Sequence, residues 1–134
     1  MEDNMTRYLY FAFSDCKDPK REEEYNDWYG NTHIPDMLQV PGMIKATRWM
    51  SAENKKGQIR KYLALYEFET DDMDEFNKQV RIRGKWTMDS GRFSELPIFD
   101  PDNVPRAYVQ IMPEKKPKAD KSAVKKTSST PKKK

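Results

Sequence analysis

His33 is the only histidine in the chain, and it is the residue best suited by type to move a proton. An imidazole titrates near neutrality, so it can take a proton from a carbon beside a carbonyl and later return it. Tyr29 lies four residues earlier, one turn away on the same face if this stretch is helical. Asp36 lies three residues later, close enough to orient an imidazole and equally able to cap the turn that follows Pro35. Arg48 is one charged residue within the otherwise largely apolar run Met43 to Met50. A guanidinium there can hold a ligand carboxylate or phenolate, or stabilise a developing enolate, or pair across a sheet with Glu67 or Glu69. Trp28, Trp49, Tyr62 and Tyr66 have the character of a pocket wall for a flat, oxygenated ligand; the same rings also suit a hydrophobic core. For His33 itself the alternative is a structural ring that closes a helix end and bonds to backbone.

Other chemistries find little support. One histidine and one cysteine (Cys16) offer no ligand-spaced pair for a metal, and the lone thiol excludes an internal disulfide. No glycine-rich phosphate loop and no nucleophile motif is present. No apolar run reaches the roughly 18 residues of a membrane span, and Met1-Glu2-Asp3-Asn4 is unlike a signal peptide. These features lead to the expectation of a cytoplasmic location.

The elements that must position these residues follow from periodicity. Arg7 to Ser14 is aromatic and almost continuously apolar, which predicts a strand buried on both faces. Asp18, Pro19 and Glu22 to Glu24 predict a helix start, and Tyr25, Trp28, Tyr29 and Thr32 continue at helical spacing. Pro35 is expected to end that helix at Ile34 and to open a short turn; Pro41-Gly42 is a turn signal. Met43 to Met50 and Tyr62 to Glu69 read as two strands joined by a polar hairpin at 54–57, with Tyr62, Ala64, Tyr66 and Phe68 on one face. Asp71 or Asp72 is expected to cap a second helix with Met73, Phe76 and Val80 inward. Arg106 to Met112 reads as the last strand, while 84–105 has no clear period and could be a lid, a dimerisation arm, or hold a short helix around Ser90–Phe93.

This βαββαβ order is the ferredoxin-like α+β pattern, an antiparallel sheet with helices on one face. The apolar second face then needs a cover, most simply a second copy, so a homodimer is expected. The charge divides the chain into two parts. Residues 114–134 hold nine lysines and two acids, or +7, whereas the whole chain is +3, leaving about −4 for residues 1–113. All the aromatics lie in 1–113, so we expect one folded domain there and a disordered lysine-rich tail beyond it. The tail is expected either to act as a solubilising extension or to attract anionic polymers weakly and without sequence preference.

The stretch from Glu22 to Trp49, EEEYNDWYGNTHIPDMLQVPGMIKATRW, resembles the dimeric α+β barrel superfamily, and in particular its EthD-like members. The likeness lies in an aromatic first helix (Tyr25, Trp28, Tyr29) that leads to His33, a turn at Pro35, and Pro41-Gly42 ahead of the second strand. The resemblance implies a dimeric barrel with His33 as acid/base. It implies cofactor-independent chemistry for many relatives, among monooxygenases, lactone isomerases, polyketide cyclases and decarboxylases, alongside haem-degrading enzymes. Three functional expectations follow: a cofactor-independent isomerase, cyclase, decarboxylase or lyase acting on a small oxygenated compound; a non-catalytic ligand-binding or stress-linked dimer; and nucleic-acid association through the tail.

Overall fold

The computed structural model describes residues 5–53, 55–101 and 104–119. β1 (Thr6–Cys16) is the central strand of an antiparallel sheet. It pairs along its length with β3 (Tyr62–Thr70), which pairs in turn with the edge strand β2 (Met43–Met50). The other side of β1 is shared by two short strands, β4 (Pro97–Phe99) at Ser14–Cys16 and β5 (Ala107–Val109) at Tyr8–Tyr10. The fold is α+β, with the five strands antiparallel and the helices on one face.

Strand alternation explains which face the helices cover. Tyr62, Ala64, Tyr66 and Phe68 point to one side of β3 and are almost wholly buried, as their period of two requires. α3 (Met73–Asp89) packs there through Phe76, whose ring lies 3.8 Å from that of Phe68 and nearly parallel to it. Asp72 caps α3 by accepting a hydrogen bond from the Glu75 amide. Gly42 is forced by geometry. Its φ is +98°, and a Cβ there would lie 2.6 Å from the Glu69 carbonyl oxygen, where the turn closes onto β3. The opposite sheet face carries Leu9, Phe11, Phe13, Trp49 and Tyr108 with no element of the described chain laid across it. Trp49 is 57% exposed there.

Three sequence expectations need correction. The first helical region does not stop at Pro35. A 3-10 turn (Pro19–Arg21) and α1 (Glu22–Trp28) lead into a π-helical turn (Tyr29–His33) and then α2 (Ile34–Met37). Proline lacks an amide hydrogen, and the wider turn, with Ile34 N–H donating to Tyr29 O, lets the chain pass Pro35 while remaining helical. Secondly, the segment 84–105 is not structureless. α3 runs through Gly84 to Asp89, and β4 adds an edge pairing that three residues of sequence cannot announce. No helix forms at Ser90–Phe93; Gly91, at φ +76°, turns the chain there instead. Thirdly, the last strand is only Ala107–Val109, and Ile111 is left 91% exposed. Residues 114–119 have no regular structure, and 120–134, the rest of the predicted tail, lie outside the described residues, as does Asn54 of the hairpin.

Candidate active site

A chamber of about 360 Å³ lies between the sheet and the helices. Its floor is Tyr10 and Ala12 of β1 and Tyr66 of β3. Tyr29 and His33 of the π-helical turn form one wall, Val80, Gly84 and Thr87 of α3 another, and Phe93 and Phe99 close the aromatic side. The π turn matters for this placement. It is the element that carries Tyr29 and His33 toward the sheet while the flanking helices bury Tyr25 and Met37.

His33 sits in an aromatic cage. Its ring stacks on Trp28 at 4.7 Å and meets Tyr29 at 5.1 Å and Phe93 at 5.7 Å, both edge-on. Trp28 is itself anchored, because its indole N–H donates to the Arg92 carbonyl at 2.8 Å. Among the described residues the imidazole makes no hydrogen bond. Its pKa falls from 6.5 to about 4, chiefly because burial disfavours the imidazolium; Asp36 pulls it up and Arg48 pulls it down. The ring is therefore neutral at physiological pH.

Two tyrosines complete the polar part of the chamber. Tyr66 and Tyr29 are almost fully buried, and neither hydroxyl has a hydrogen-bond partner among the described residues. The nearby Ser14 hydroxyl is engaged with that of Tyr25. Burial pushes both phenols well above their usual range, so they remain hydrogen-bond donors. The Tyr10 hydroxyl accepts from Arg106 Nη1 at 3.3 Å at the far end, where Asp100 also borders the space and is paired with Arg60 Nε at 3.1 Å.

The other sequence-selected residues divide. Arg48 does not pair with Glu67 or Glu69; Arg7 bonds both of those acids, and Lys45 reaches Glu67. Arg48 instead turns to the helix face, because its register opposite Ala64 puts it on the side of Tyr62 and Tyr66. Its guanidinium lies 4.2, 5.0 and 5.3 Å from the ring centres of Tyr29, Tyr62 and Tyr25, and Nη1 donates to Asn26 Oδ1 at 2.8 Å. Arg48 thus stands behind Tyr29 and does not line the chamber. Tyr62 belongs to this arginine box, not to the chamber. Asp36 neither bonds the imidazole nor caps a turn with its side chain; it accepts from Arg92 Nε at 2.7 Å. Trp49 is on the opposite sheet face, because successive side chains of β2 alternate and Arg48 takes the inward place. Phe93, Phe99, Tyr10 and Arg106 were not legible as site residues. Phe93 and Phe99 fall in the aperiodic segment, Tyr10 lies within the continuously apolar run of β1, and Arg106 is placed only by the pairing of its segment with β1.

No protein-family model and no curated protein matches this chain. Two solved structures are similar to it. One is described as a candidate monooxygenase from Shewanella loihica PV-4, at 17% identity and TM-score 0.46, over 76% of this chain and 97% of that one. The other is an EthD family protein from Bacillus halodurans C-125, at 20% identity and TM-score 0.45, over 71% of this chain and 95% of that one. No helix among the described residues is long and apolar enough to cross a membrane.

Proposed function

We propose that the chamber is the active site of a cofactor-independent enzyme acting on a small, oxygenated, planar or aromatic compound. His33 takes the proton from the carbon beside a carbonyl, and the tyrosine hydroxyls donate hydrogen bonds to the enolate oxygen that forms. Returning that proton elsewhere on the ligand gives isomerisation, attack of the enolate carbon on a second carbonyl with the proton passed to the new oxygen gives cyclisation, and expulsion of a β-leaving group gives a lyase outcome; in a decarboxylase outcome the loss of CO2 itself forms the enolate, which the same hydroxyls stabilise. The observation that carries this reading is a neutral imidazole that borders a cavity and makes no hydrogen bond among the described residues. A structural histidine would be tied to backbone and remote from a cavity, so the non-catalytic reading is the less supported one. Trp28, stacked on the ring, serves to hold its orientation.

The test is solvent deuterium exchange, followed by NMR, on a panel of aryl ketones, β-keto acids and unsaturated lactones. Exchange of the C–H beside the carbonyl is expected with the wild type and lost in His33→Ala. Exchange that survives in His33→Ala rejects the assignment.

We also infer that the protein works as a homodimer through the open sheet face, where Leu9, Phe11, Phe13, Trp49 and Tyr108 present contiguous apolar surface. The lysine-rich stretch beyond Pro113 is proposed as a solubilising extension with salt-sensitive affinity for anionic polymers. If truncation after Pro113 leaves that affinity unchanged, the stretch is not its cause.

A further inference from the structure

The inward stripe of α3 has a gap, and the gap lies on the chamber. Phe76, Val80 and Thr87 recur at helical spacing, and Phe76 and Thr87 are almost wholly buried. Position 84 falls on the same face, one turn after Val80, and it is glycine. Val80, Gly84, Thr87 and Met88 all border the chamber. The stripe thus loses its side chain at the position where the chamber lies.

Glycine inside a helix is unfavourable relative to alanine, because it loses the most backbone freedom on folding and packs nothing. The fold gives no reason to keep it here. Gly84 is not among the residues with positive φ, and α3 continues past it to Asp89. A Cβ at position 84 meets no atom of the described residues within 4 Å, whereas one at Gly42 would lie 2.6 Å from a carbonyl oxygen. The Gly84 carbonyl is satisfied as well, since it accepts from Thr87 Oγ1 at 2.6 Å. Protein interiors are close-packed, and an alanine or leucine in this stripe would add packing at no backbone cost. What the glycine preserves is room in the chamber.

A second observation says what the room is for. Tyr29, on the wall formed by the π-helical turn, is wholly buried, and its hydroxyl is buried without a hydrogen-bond partner. Such a donor calls for an acceptor inside the chamber. The remaining walls near Gly84 are apolar or aromatic, through Val80, Phe93 and Phe99. A volume of about 360 Å³ is at the small end for organic ligands, which suits a compound of one or two fused rings.

We propose that Gly84 is a specificity-determining residue of this site, holding the α3 wall flat so that the apolar ring of an aryl carbonyl compound lies against the helix backbone while its oxygen accepts from Tyr29. This rests on the chamber being the ligand site, and it adds the residue that sets the size of compound admitted. Close approach of a backbone to a ligand is a use that glycine alone allows.

The test compares binding with stability, because a glycine kept for the fold and one kept for a ligand predict opposite results. Met37, Met43 and Met88 border the chamber, so their 13C-labelled methyl groups report binding by NMR in the full chain. The probes are acetophenone and its two-ring analogue 2-acetonaphthone. Wild type is expected to shift these methyl signals with both ketones. Gly84→Ala is expected to melt at a higher temperature than wild type, through its better helix propensity, yet to bind 2-acetonaphthone about tenfold more weakly. Gly84→Leu is expected to lose 2-acetonaphthone and to retain acetophenone. A lower melting temperature for Gly84→Ala, or a 2-acetonaphthone affinity equal to wild type, overturns the proposal even if Gly84→Leu does not fold. Absence of methyl shifts with both ketones in wild type also overturns it. Binding requires no proton transfer. Exchange that survives in His33→Ala therefore rejects the catalytic reading and leaves this size selection intact, so the two failures are distinguishable.

Discussion

Replacing His33 by Gln should change how stability depends on pH, and the size of the change follows from its cage. The imidazole is partly buried against Trp28, Tyr29 and Phe93, and its pKa is depressed from 6.5 to about 4. Between these values the unfolded chain binds a proton that the folded chain does not. Stability therefore rises with pH across this window and is lost as pH falls from about 6.5 to about 4; outside it His33 contributes no slope. A displacement of this size corresponds to about 3 kcal/mol, an upper figure because solvent reaches part of the ring. The carboxylates also titrate at acid pH, so the assay is the difference between wild type and His33→Gln in urea melts at pH 4, 5, 6 and 7.5. The wild type is expected to gain up to about 3 kcal/mol relative to the variant between pH 4 and pH 7. Parallel curves would mean that the ring is solvated in the folded state, and the whole account of a dry, neutral base would be wrong.

Asp36→Asn removes the partner of Arg92, which is itself 43% exposed, and should cost about 1–2 kcal/mol in chemical denaturation. It should also lower the His33 titration midpoint, read by NMR of the imidazole protons, because the Asp36 charge favours the imidazolium. Gly42→Ala should destabilise by about 2 kcal/mol, since it meets both a left-handed φ and the Glu69 carbonyl; a melting temperature equal to wild type would show that the turn relaxes freely. Light scattering on the eluted protein should give a dimer mass for wild type and a monomer for Phe11→Arg. A dimer that persists in the variant would move the interface off the open sheet face.

Local pattern was enough to read much of the fold. The alternation in Tyr62 to Phe68 located the buried face of β3, because a period of two leaves only one way to bury four side chains. A cap at Asp71 or Asp72 was legible, with the structure choosing Asp72, and Pro41-Gly42 was legible as a turn. These are short-range properties. The helical path through Pro35 was not legible, because a proline reads as a stop unless the preceding turn widens, and that widening depends on what the helix packs against. β4 and the chamber residues Phe93 and Phe99 were hidden for a similar reason: a three-residue strand gains its meaning only from pairing with β1.

The candidate site divides in the same way. The residue types alone singled out His33 as the proton carrier and Tyr29 as its neighbour, since a chain with one histidine leaves no other choice near neutral pH. Whether Arg48 faced Glu67 or the helices, and whether Asp36 met His33 or Arg92, could not follow from spacing. Both depend on register and on which distant charge arrives first. The tertiary structure decided them by pairing the acids with other arginines and enclosing Arg48 among three tyrosines. Electrostatics in a folded chain is set by through-space neighbours and by the water they exclude, and neither is written in the order of the residues.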